Sequence, residues 1–360
     1  MKNLKKTLFI TVFCTVYISS QISAQKQNAN VYEFREMNQQ SYRYYINIPD
    51  IEGYETLKCD FHIHTIFSDG QVWPGMRVNE AWNDGLDAIA ITDHIEYHPN
   101  KSIVNSDLNT SNEMALKQGN EIGMLVIKGT EITRSKPLGH INALFVQDAN
   151  KIEVANELDA IDEAVKQGAY LIWNHPGWPN DTSTLYPIHK ELIAKKKLHG
   201  AEVFNSWEYY PKVLDWCNEY GLAYFANTDL HYTSANMYRE KFQRPMTLVF
   251  VEERSVEGIK EALFDGRTVA YFNKHLAGSE KYIKSLIKKS LSVKVVNLKK
   301  NSIEICNTSD LLFQIQFGEY AYSIAIYPRE VLRINIPSET EIAFTNCLTG
   351  QNKYVKMPLW

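Results

Sequence analysis

Short apolar runs that alternate with helical patterns constrain the fold of this chain more than any other sequence feature. Runs typical of β-strands cover 86–92, 124–131, 141–146, 169–174, 200–205 and 222–228. Helical patterns lie between several of them, over 77–83, 112–119, 153–167 and 211–220. Apolar strands separated by helices indicate a parallel sheet covered by helices, and this many units indicate a barrel. A last unit follows, with a strand over 246–251 and a helix over 255–264 that Ser255 caps and Gly266 ends.

The segments around the barrel have different patterns. Residues 1–24 combine a basic start, an apolar core and a small-residue end, which predicts a signal peptide and an exported, periplasmic or secreted chain. That apolar core is shorter than a membrane span requires, so we expect no membrane span. We assign 25–56 to an N-terminal arm, 57–278 to the barrel and 285–360 to a small antiparallel β domain, because short alternating strands replace the helices there.

Net charge and cysteine content give some information about binding partners and disulfide bonds. The 360 residues carry a formal net charge of −4, and removal of 1–24 takes away three lysines and no acid, which makes it −7. A negative chain offers no broad attraction for a polyanion, so we expect no nucleic acid polymer as partner. Four cysteines remain after residue 24, and export would permit a bridge between Cys306 and Cys347, but the spacing alone does not decide their pairing.

Metal-ligand residue types stand at the ends of the predicted strands. In the stretch CDFHIHTIFSDG, His62 and His64 are two residues apart in an extended run, so both imidazoles point to one face. The further candidates that share this placement are Asp69, His94, Glu131, His140, His175, Asp229 and His231. Because the carboxyl ends of barrel strands share one rim, we expect these side chains to meet. Nine nitrogen and oxygen ligands exceed the need of one ion and suit two or three divalent ions.

The order of these motifs resembles the polymerase and histidinol phosphatase (PHP) family. The elements are DxHxH with a trailing SDG, then TDH, a lone Glu, two separated histidines and a terminal DxH, over about residues 57 to 275. The resemblance implies a distorted (β/α)7 PHP barrel, here with a small C-terminal all-β domain. It also implies three divalent metal ions, Mn, Zn or Fe, and phosphoester hydrolysis. The export signal and β-rich tail make the chain similar to secreted PHP phosphodiesterases.

The resemblance also suggests how the ligands divide among three ions. The first ion would be held by His62, His64, Glu131 and Asp229, the second by Glu131, His140 and His175, and the third by Asp69, His94 and His231. Asp69 stands where some members have a histidine, which favours a more oxygen-rich third site and manganese or iron.

The expected reaction is attack on a small organic phosphate ester by a hydroxide that bridges two ions. Asp229 could accept the proton of that water or be only a ligand. Arg134 could hold a phosphate oxygen and His98 could protonate the leaving group, although ordinary surface roles suit both. The first hypothesis is that the protein is a phosphodiesterase. The alternatives are a phosphomonoesterase of the same family, a metal-dependent amide or lactone hydrolase, and a non-catalytic protein that keeps the cluster for structure.

Overall fold

The computed structural model describes residues 42–104, 106–238, 243–318 and 322–360. The predicted signal peptide and the first part of the predicted arm, up to residue 41, lie outside the described residues. Tyr42–Trp360 form one compact unit. Among the described residues, no helix has both the length and the apolar character that crossing a membrane requires.

Strands and helices alternate through the first two thirds of the chain. The strands are β1 Glu55–Asp60, β2 Ala88–Ile91, β3 Leu125–Thr133, β4 His140–Leu144, β5 Tyr170–Trp173, β6 Gly200–Asn205, β7 Glu208–Tyr209, β8 Ala223–Asn227, β9 Met246–Val251 and β10 Thr268–Phe272. The helices between them are α1 Pro74–Asn83, α2 Thr110–Ile122, α3 Glu157–Lys166, α4 Pro187–Ala194, α5 Pro211–Tyr220, α6 Ser234–Tyr238 and α7 Val256–Phe264. The predicted strands are therefore present. The pattern did not predict α4, a short helix with proline in its first turn.

Seven strands form the distorted barrel that the family resemblance implied. β1, β2 and β3 are parallel neighbours, as are β5, β6 and β8. β4 joins the two groups and is antiparallel to both β3 and β5. The chain just after β1 pairs in parallel with the chain just after β8, at Ile63 and Leu230. The predicted fold class, an α/β barrel of this distorted kind, is confirmed.

β4 is antiparallel because no helix separates it from β3. A six-residue loop, 134–139, cannot provide the crossover that a parallel pair needs, so the two strands form a hairpin. The direction of β4 matters for the site. His140 is the first residue of β4, and in an antiparallel strand that end lies at the same rim as the carboxyl ends of the parallel strands.

The elements begin and end for local reasons that the sequence shows. In α7 the Ser255 side chain accepts a hydrogen bond from the Gly258 N–H, as predicted for an N-cap, and Gly266 after the helix has a φ of +66°. In α3 the Asn156 side chain accepts from the N–H groups of Leu158 and Asp159. These caps fix where the covering helices start. The helices in turn determine where the strands after them begin.

The C-terminal part is rich in antiparallel strands, as expected. Its elements are β11 His275–Gly278, α8 Glu280–Ser290, β12 Leu291–Asn297, β13 Ser302–Asn307, β14 Phe313–Gln316, β15 Ile324–Ile326, β16 Val331–Asn335, β17 Ile342–Gly350 and β18 Lys353–Met357. β12, β13 and β16 form a separate sheet, whereas β17 pairs in parallel with β11 and so joins its neighbours to the barrel sheet. The predicted boundaries at 278 and 285 stay predictions.

Two further sequence expectations concern this region. Cys306 lies on β13 and Cys347 on β17, and both are free thiols, as are Cys59 and Cys217. The described part of the arm is extended and spans the two regions. The Tyr44 N–H donates to the Asn83 carbonyl at the end of α1, while the Asn47 N–H donates to Asp310 in the C-terminal part.

Candidate metal centre

The two histidines after β1 form the base of the site. Both side chains are fully buried, and their Nε2 atoms are 3.1 Å apart. Each of these nitrogens also lies close to Asp229 Oδ1, at 3.2 Å from His62 and 3.0 Å from His64. Asp229 follows β8, so the pairing of the chain at Ile63 and Leu230 brings the two strand ends together.

Glu131 on β3 lies at the centre of the cluster. Its Oε2 is 3.0 Å from His94 Nδ1, 3.3 Å from His64 Nε2 and 3.5 Å from His62 Nε2. Its Oε1 is 2.7 Å from His140 Nδ1 and 3.9 Å from His175 Nε2. A carboxylate between five histidines of four different segments has the position expected of a bridging ligand.

Asp69, His94 and His231 form the outer part of the cluster. Asp69 Oδ1 is 3.1 Å from His231 Nε2 and 3.4 Å from His94 Nε2. About a quarter of the side chains of Asp69 and His231 is exposed, whereas Glu131 is fully buried. The site therefore has a buried inner part and an outer part that solvent reaches.

All nine predicted ligands thus meet at one rim. Ligand atoms converge in three overlapping groups: His64, Asp69, His94 and His231; His62, Glu131 and His175; and His62, His64 and Asp229. These groups correspond broadly to the predicted third, second and first ion. They differ in that His64 also faces the third group and His62 the second, and in that Glu131 is not in the first group. His140 is in none of the three groups and meets the cluster through Glu131, at 2.7 Å. The division of ligands among ions stays a prediction.

The side chains fit divalent metal ions better than they fit one another. Glu131 Oε1 and Oε2, Asp69 Oδ1, Asp229 Oδ1 and His140 Nδ1 are buried without a hydrogen-bond partner in the part of the chain that the structure describes, although other ligand atoms lie close by. Buried polar atoms normally find partners. Atoms that approach to about 3 Å without hydrogen-bond geometry point instead to a shared position between them, which suits a cation.

The electrostatics favour cations as well. Burial alone would raise the pKa of the Glu131 carboxyl, but His94, His140 and His62 outweigh it and hold the pKa well below its usual range. Burial and the nearby His94 lower the pKa of His64 to about 4, which leaves its imidazole neutral. Burial alone would lower the pKa of His94, but Glu131 and Asp69 outweigh it and raise this pKa to about 11, so an ion bound there would displace a proton. Ionised carboxylates and neutral imidazoles are the forms that bind metal.

Glu202 on β6 contacts two of the candidate ligands, and the sequence pattern did not predict it. This fully buried carboxylate accepts hydrogen bonds from His62 Nδ1 at 2.9 Å and from the His175 N–H at 2.6 Å. With Nδ1–H as the donor, the Nε2 lone pair of His62 is directed into the cluster. The signal in the sequence was a single acid in the apolar run GAEVFN.

Arg77 on α1 was also missed. The guanidinium is almost fully buried, and it donates to the carbonyls of His64, Leu230, His231 and Tyr232 at 2.6 to 2.9 Å. One side chain therefore ties the loop after β1 to the loop after β8. Gly70 closes the first of these loops, where a Cβ atom would lie 2.6 Å from the His64 carbonyl carbon.

Asp93, the residue before His94, binds the loop after β1. Its carboxylate accepts from the Thr65 N–H at 2.6 Å, the Thr65 hydroxyl at 2.7 Å and the Ser68 hydroxyl at 2.7 Å. It therefore fixes the loop that carries Asp69, and it adds no ligand atom to the three groups.

Arg134 and His98 lie near the rim but are held by other groups. Arg134 pairs with Glu96 at 3.0 Å and donates to the Val154 carbonyl at 2.6 Å. Both ring nitrogens of His98 lie within 3.0 Å of backbone carbonyls, those of Phe67 and Ile95. Their catalytic roles stay predictions that these contacts do not favour. His189 on α4, a histidine outside the ligand motifs, is buried.

Comparisons with known proteins agree with this geometry. The PHP domain model matches residues 60–295. A crystal structure of a two-domain protein from Bacteroides vulgatus, described as containing a predicted PHP-like metal-dependent phosphoesterase, is 37% identical. It has a TM-score of 0.85, with coverage of 89% of this chain and 99% of that one. An uncharacterized protein of Methanocaldococcus jannaschii is 26% identical over 188 residues, which are 49% of this chain and 82% of that protein.

The expectation that no nucleic acid polymer is a partner was wrong. An endonuclease Q, solved with a 27-mer duplex substrate that has an abasic lesion at the active site, is 14% identical. Its TM-score is 0.42, with coverage of 58% of this chain and 56% of that one. The expectation rested on the net charge of the whole chain. Cations bound at a site are often its largest local charges, so a negative total does not exclude a polyanion there.

Proposed function

Because this chain belongs to the PHP domain family, we propose that it is a metal-dependent phosphoesterase. One observation carries the proposal more than any other. Nine histidine and carboxylate side chains from distant parts of the sequence converge at one rim of the barrel, with buried ligand atoms that lack hydrogen-bond partners among the described residues. Such a cluster is expensive to bury unless cations compensate its charge.

We further propose that the cluster takes three ions and that the enzyme prefers phosphodiesters. The three overlapping ligand groups support the number of ions. The partial exposure of Asp69 and His231 supports an outer site where an incoming ester can bind, while Glu131 is fully buried in the inner part. The pattern of residues 1–24 supports export of the chain.

Bound divalent ions would lower the pKa of water to give a nucleophile near neutral pH and would neutralise charge on the phosphoryl oxygens. The residues of this chain position and protect that chemistry. Glu202 and Asp93 orient ligand histidines and loops, and burial of Glu131 excludes bulk water from the inner part. Asp229 Oδ1 lies 3.2 Å from His62 and 3.0 Å from His64, whereas Oδ2 is 3.8 Å from His175 Nε2, so Oδ2 is a candidate acceptor for the proton of water.

The test is metal-dependent turnover by chelated and reconstituted protein. Chelated protein is loaded with Mn, Zn or Fe and assayed against a bis-aryl phosphate, a phosphate monoester, an aryl amide, a lactone and a duplex oligonucleotide with an abasic site. We expect phosphate ester turnover that needs added metal and is highest with diesters. Glu131→Gln should abolish it, and His275→Gln, at a histidine remote from the nine ligands in sequence and contacts, should not.

Two results would contradict the proposal. Turnover of the amide or lactone without phosphate esters would assign a carbon–heteroatom hydrolase. A folded protein that binds metal yet cleaves none of these compounds would indicate that the cluster is structural. Elemental analysis of the same samples shows whether the metal was bound.

A further inference from the structure

A cavity of about 250 Å³ opens beside two of the candidate ligands, His140 and His175. We propose that this cavity binds a planar aromatic ring of the phosphate ester, either an aryl group or a nucleobase. The inference rests on the proposed phosphoesterase function and names the class of substrate. The walls of the cavity come from the loop 134–139, the loop after β5 and the start of α4.

Trp178 forms the wall nearest the metal centre. Its ring centroid is 5.0 Å from that of His140 and 5.6 Å from that of His175, at steep angles to both. Just over half of the side chain, 54%, is exposed, so ring surface remains available. A large exposed tryptophan directly beside two candidate metal ligands is placed where a substrate ring would contact it.

The backbone holds Trp178 in this place. Its N–H donates to the carbonyl of His175 at 2.9 Å, so the wall is tied to a ligand residue. Gly177 packs against the ring of Tyr210, where a Cβ atom would lie 2.8 Å from Cε1. The turn therefore has one close-packed side, and the backbone of Trp178 is held next to His175.

A second wall, which includes Trp173 and His189, is fixed as well, whereas the charged residues of the lining, Arg134 and Lys136, lie on the loop 134–139. His189 Nε2 donates to the Leu138 carbonyl at 2.7 Å, and its Nδ1 accepts from the Tyr186 N–H at 3.3 Å. Its ring lies against Trp173, with centroids 4.0 Å apart. Both ring nitrogens are used by the backbone, and burial lowers the pKa of His189 to about 4, so this wall carries no charge.

Size and composition both favour a ring. The cavity exceeds the roughly 150 Å³ that is enough for benzene in an apolar protein cavity. Aromatic walls stabilise aromatic partners beyond the area that they bury. A larger cavity of about 500 Å³ is lined by Trp207, Phe272 and Tyr327, but its lining includes none of the nine candidate ligands. A ring bound in that cavity would therefore not contact any of the candidate ligands that line the proposed active site.

Non-hydrolysable phosphonates separate recognition of the ring from the chemistry. Dissociation constants of metal-loaded protein are measured by calorimetry for methyl-, cyclohexyl- and phenylphosphonate and for the methylene phosphonate analogue of AMP. We expect phenylphosphonate, the AMP analogue or both to bind about tenfold more tightly than methylphosphonate. Which of the two binds more tightly distinguishes an aryl group from a nucleobase. Cyclohexylphosphonate controls for apolar volume.

Variants locate the effect. Trp178→Ala should reduce the ratio of methyl- to ring-phosphonate dissociation constants to about two, and Trp178→Phe should preserve most of it. Trp207→Ala removes an equally exposed tryptophan from the larger cavity and should leave the ratio unchanged. Thermal melting of each variant confirms folding.

The outcomes are distinct from those that test the phosphoesterase function. Metal-dependent ester turnover together with equal affinity for all the phosphonates would overturn only the inference about the ring. Equal binding of cyclohexyl- and phenylphosphonate would show an apolar site without preference for aromatic rings, which also overturns it. If Trp207→Ala, and not Trp178→Ala, reduced the ratio of dissociation constants, the ring would bind in the larger cavity, and the inference would be overturned. Absence of turnover with every phosphate ester would contradict the proposed function itself.

Discussion

Glu202 shows how one buried carboxylate orders several neighbours. Four donors point at it: His62 Nδ1, the His175 N–H and the side-chain amides of Asn205 and Asn227. An ionised carboxylate is an acceptor only, so it satisfies all four. The two ligand histidines are thereby oriented through a residue that offers no atom to the three ligand groups.

Glu202→Gln should weaken metal binding while the fold is kept. The amide nitrogen of glutamine is a donor, and it would face two of these donors at the same spacing. We expect the affinity for divalent metal to fall about 10- to 100-fold, as is typical when a group that orients metal ligands is removed. Competition with a chromophoric chelator measures this, and circular dichroism checks the fold.

The control for this prediction is Glu96→Gln, at an exposed glutamate of the same rim that pairs with Arg134. It makes the same chemical change without touching a candidate ligand. Equal metal affinity in Glu202→Gln and in the control would show that His62 keeps its orientation without Glu202.

The sequence shows ligands better than the residues that orient them. His62 and His64, or Asp229 and His231, stand out because an i, i+2 pair at a strand end places two ligand atoms on one side. Glu202 and Arg77 each depend on partners more than a hundred residues away. No local spacing encodes those contacts, so only an isolated charge in an apolar segment hints at them.

At the level of elements, the sequence predicted the barrel but assigned β4 to a parallel sheet. Its apolar run has no feature that distinguishes the two directions, and the decisive fact is the short loop before it. The same limit applies to α4, whose eight residues are too few for a clear helical period. The errors therefore concern the direction of a strand and a helix that is too short to show a period, and the composition of these segments could not correct them.

Helix α1 holds the site together through Arg77, which bonds to carbonyls of two ligand loops. Arg77→Lys keeps the charge but cannot reproduce the fork of donors, so buried carbonyls lose their partners. We expect the variant to lose about 3 kcal/mol of stability and to bind fewer ions per chain, because Asp69 and His231 lie on these two loops. Urea unfolding and elemental analysis measure the two effects.

A matched comparison for Arg77 is Arg267→Lys, another well-buried arginine, whose partners are Phe250, Glu261 and Asp265 rather than ligand loops. It should destabilise the protein without changing the metal content. If both variants bind metal as the wild type does, the loops hold their ligands in place without the clamp from α1.

At the scale of the whole molecule, Asp87 joins segments that are far apart in the chain. Its carboxylate is 2.7 Å from Lys58 on β1, 3.2 Å from Arg43 in the arm and 3.0 Å from Arg254 after β9. The side chain is almost entirely buried. Burial alone would raise the pKa of Asp87, but Lys58 and then Arg254 outweigh it, so the pKa lies below its usual value.

This pKa shift makes part of the stability depend on pH. A carboxyl with a lowered pKa in the folded state contributes stability above its unfolded pKa of about 3.9, and that contribution is lost as pH falls through the folded pKa. Asp87→Asn should therefore cost about 2 kcal/mol at pH 7, where the wild-type group is ionised and paired. The difference should shrink below about pH 4, because the wild-type carboxyl is then also becoming neutral.

Urea unfolding at pH 7, 5 and 3 measures the difference, with chelator in every sample so that loss of metal at low pH does not enter. Asp265→Asn, which removes an exposed partner of Arg267, is the comparison and should cost under about 1 kcal/mol at each pH. A cost for Asp87→Asn that is the same at all three pH values would mean that packing, and not the charge of Asp87, holds the arm, β1 and the end of β9 together. Asp87 would then stabilise the barrel to the same extent whether or not its carboxyl is ionised.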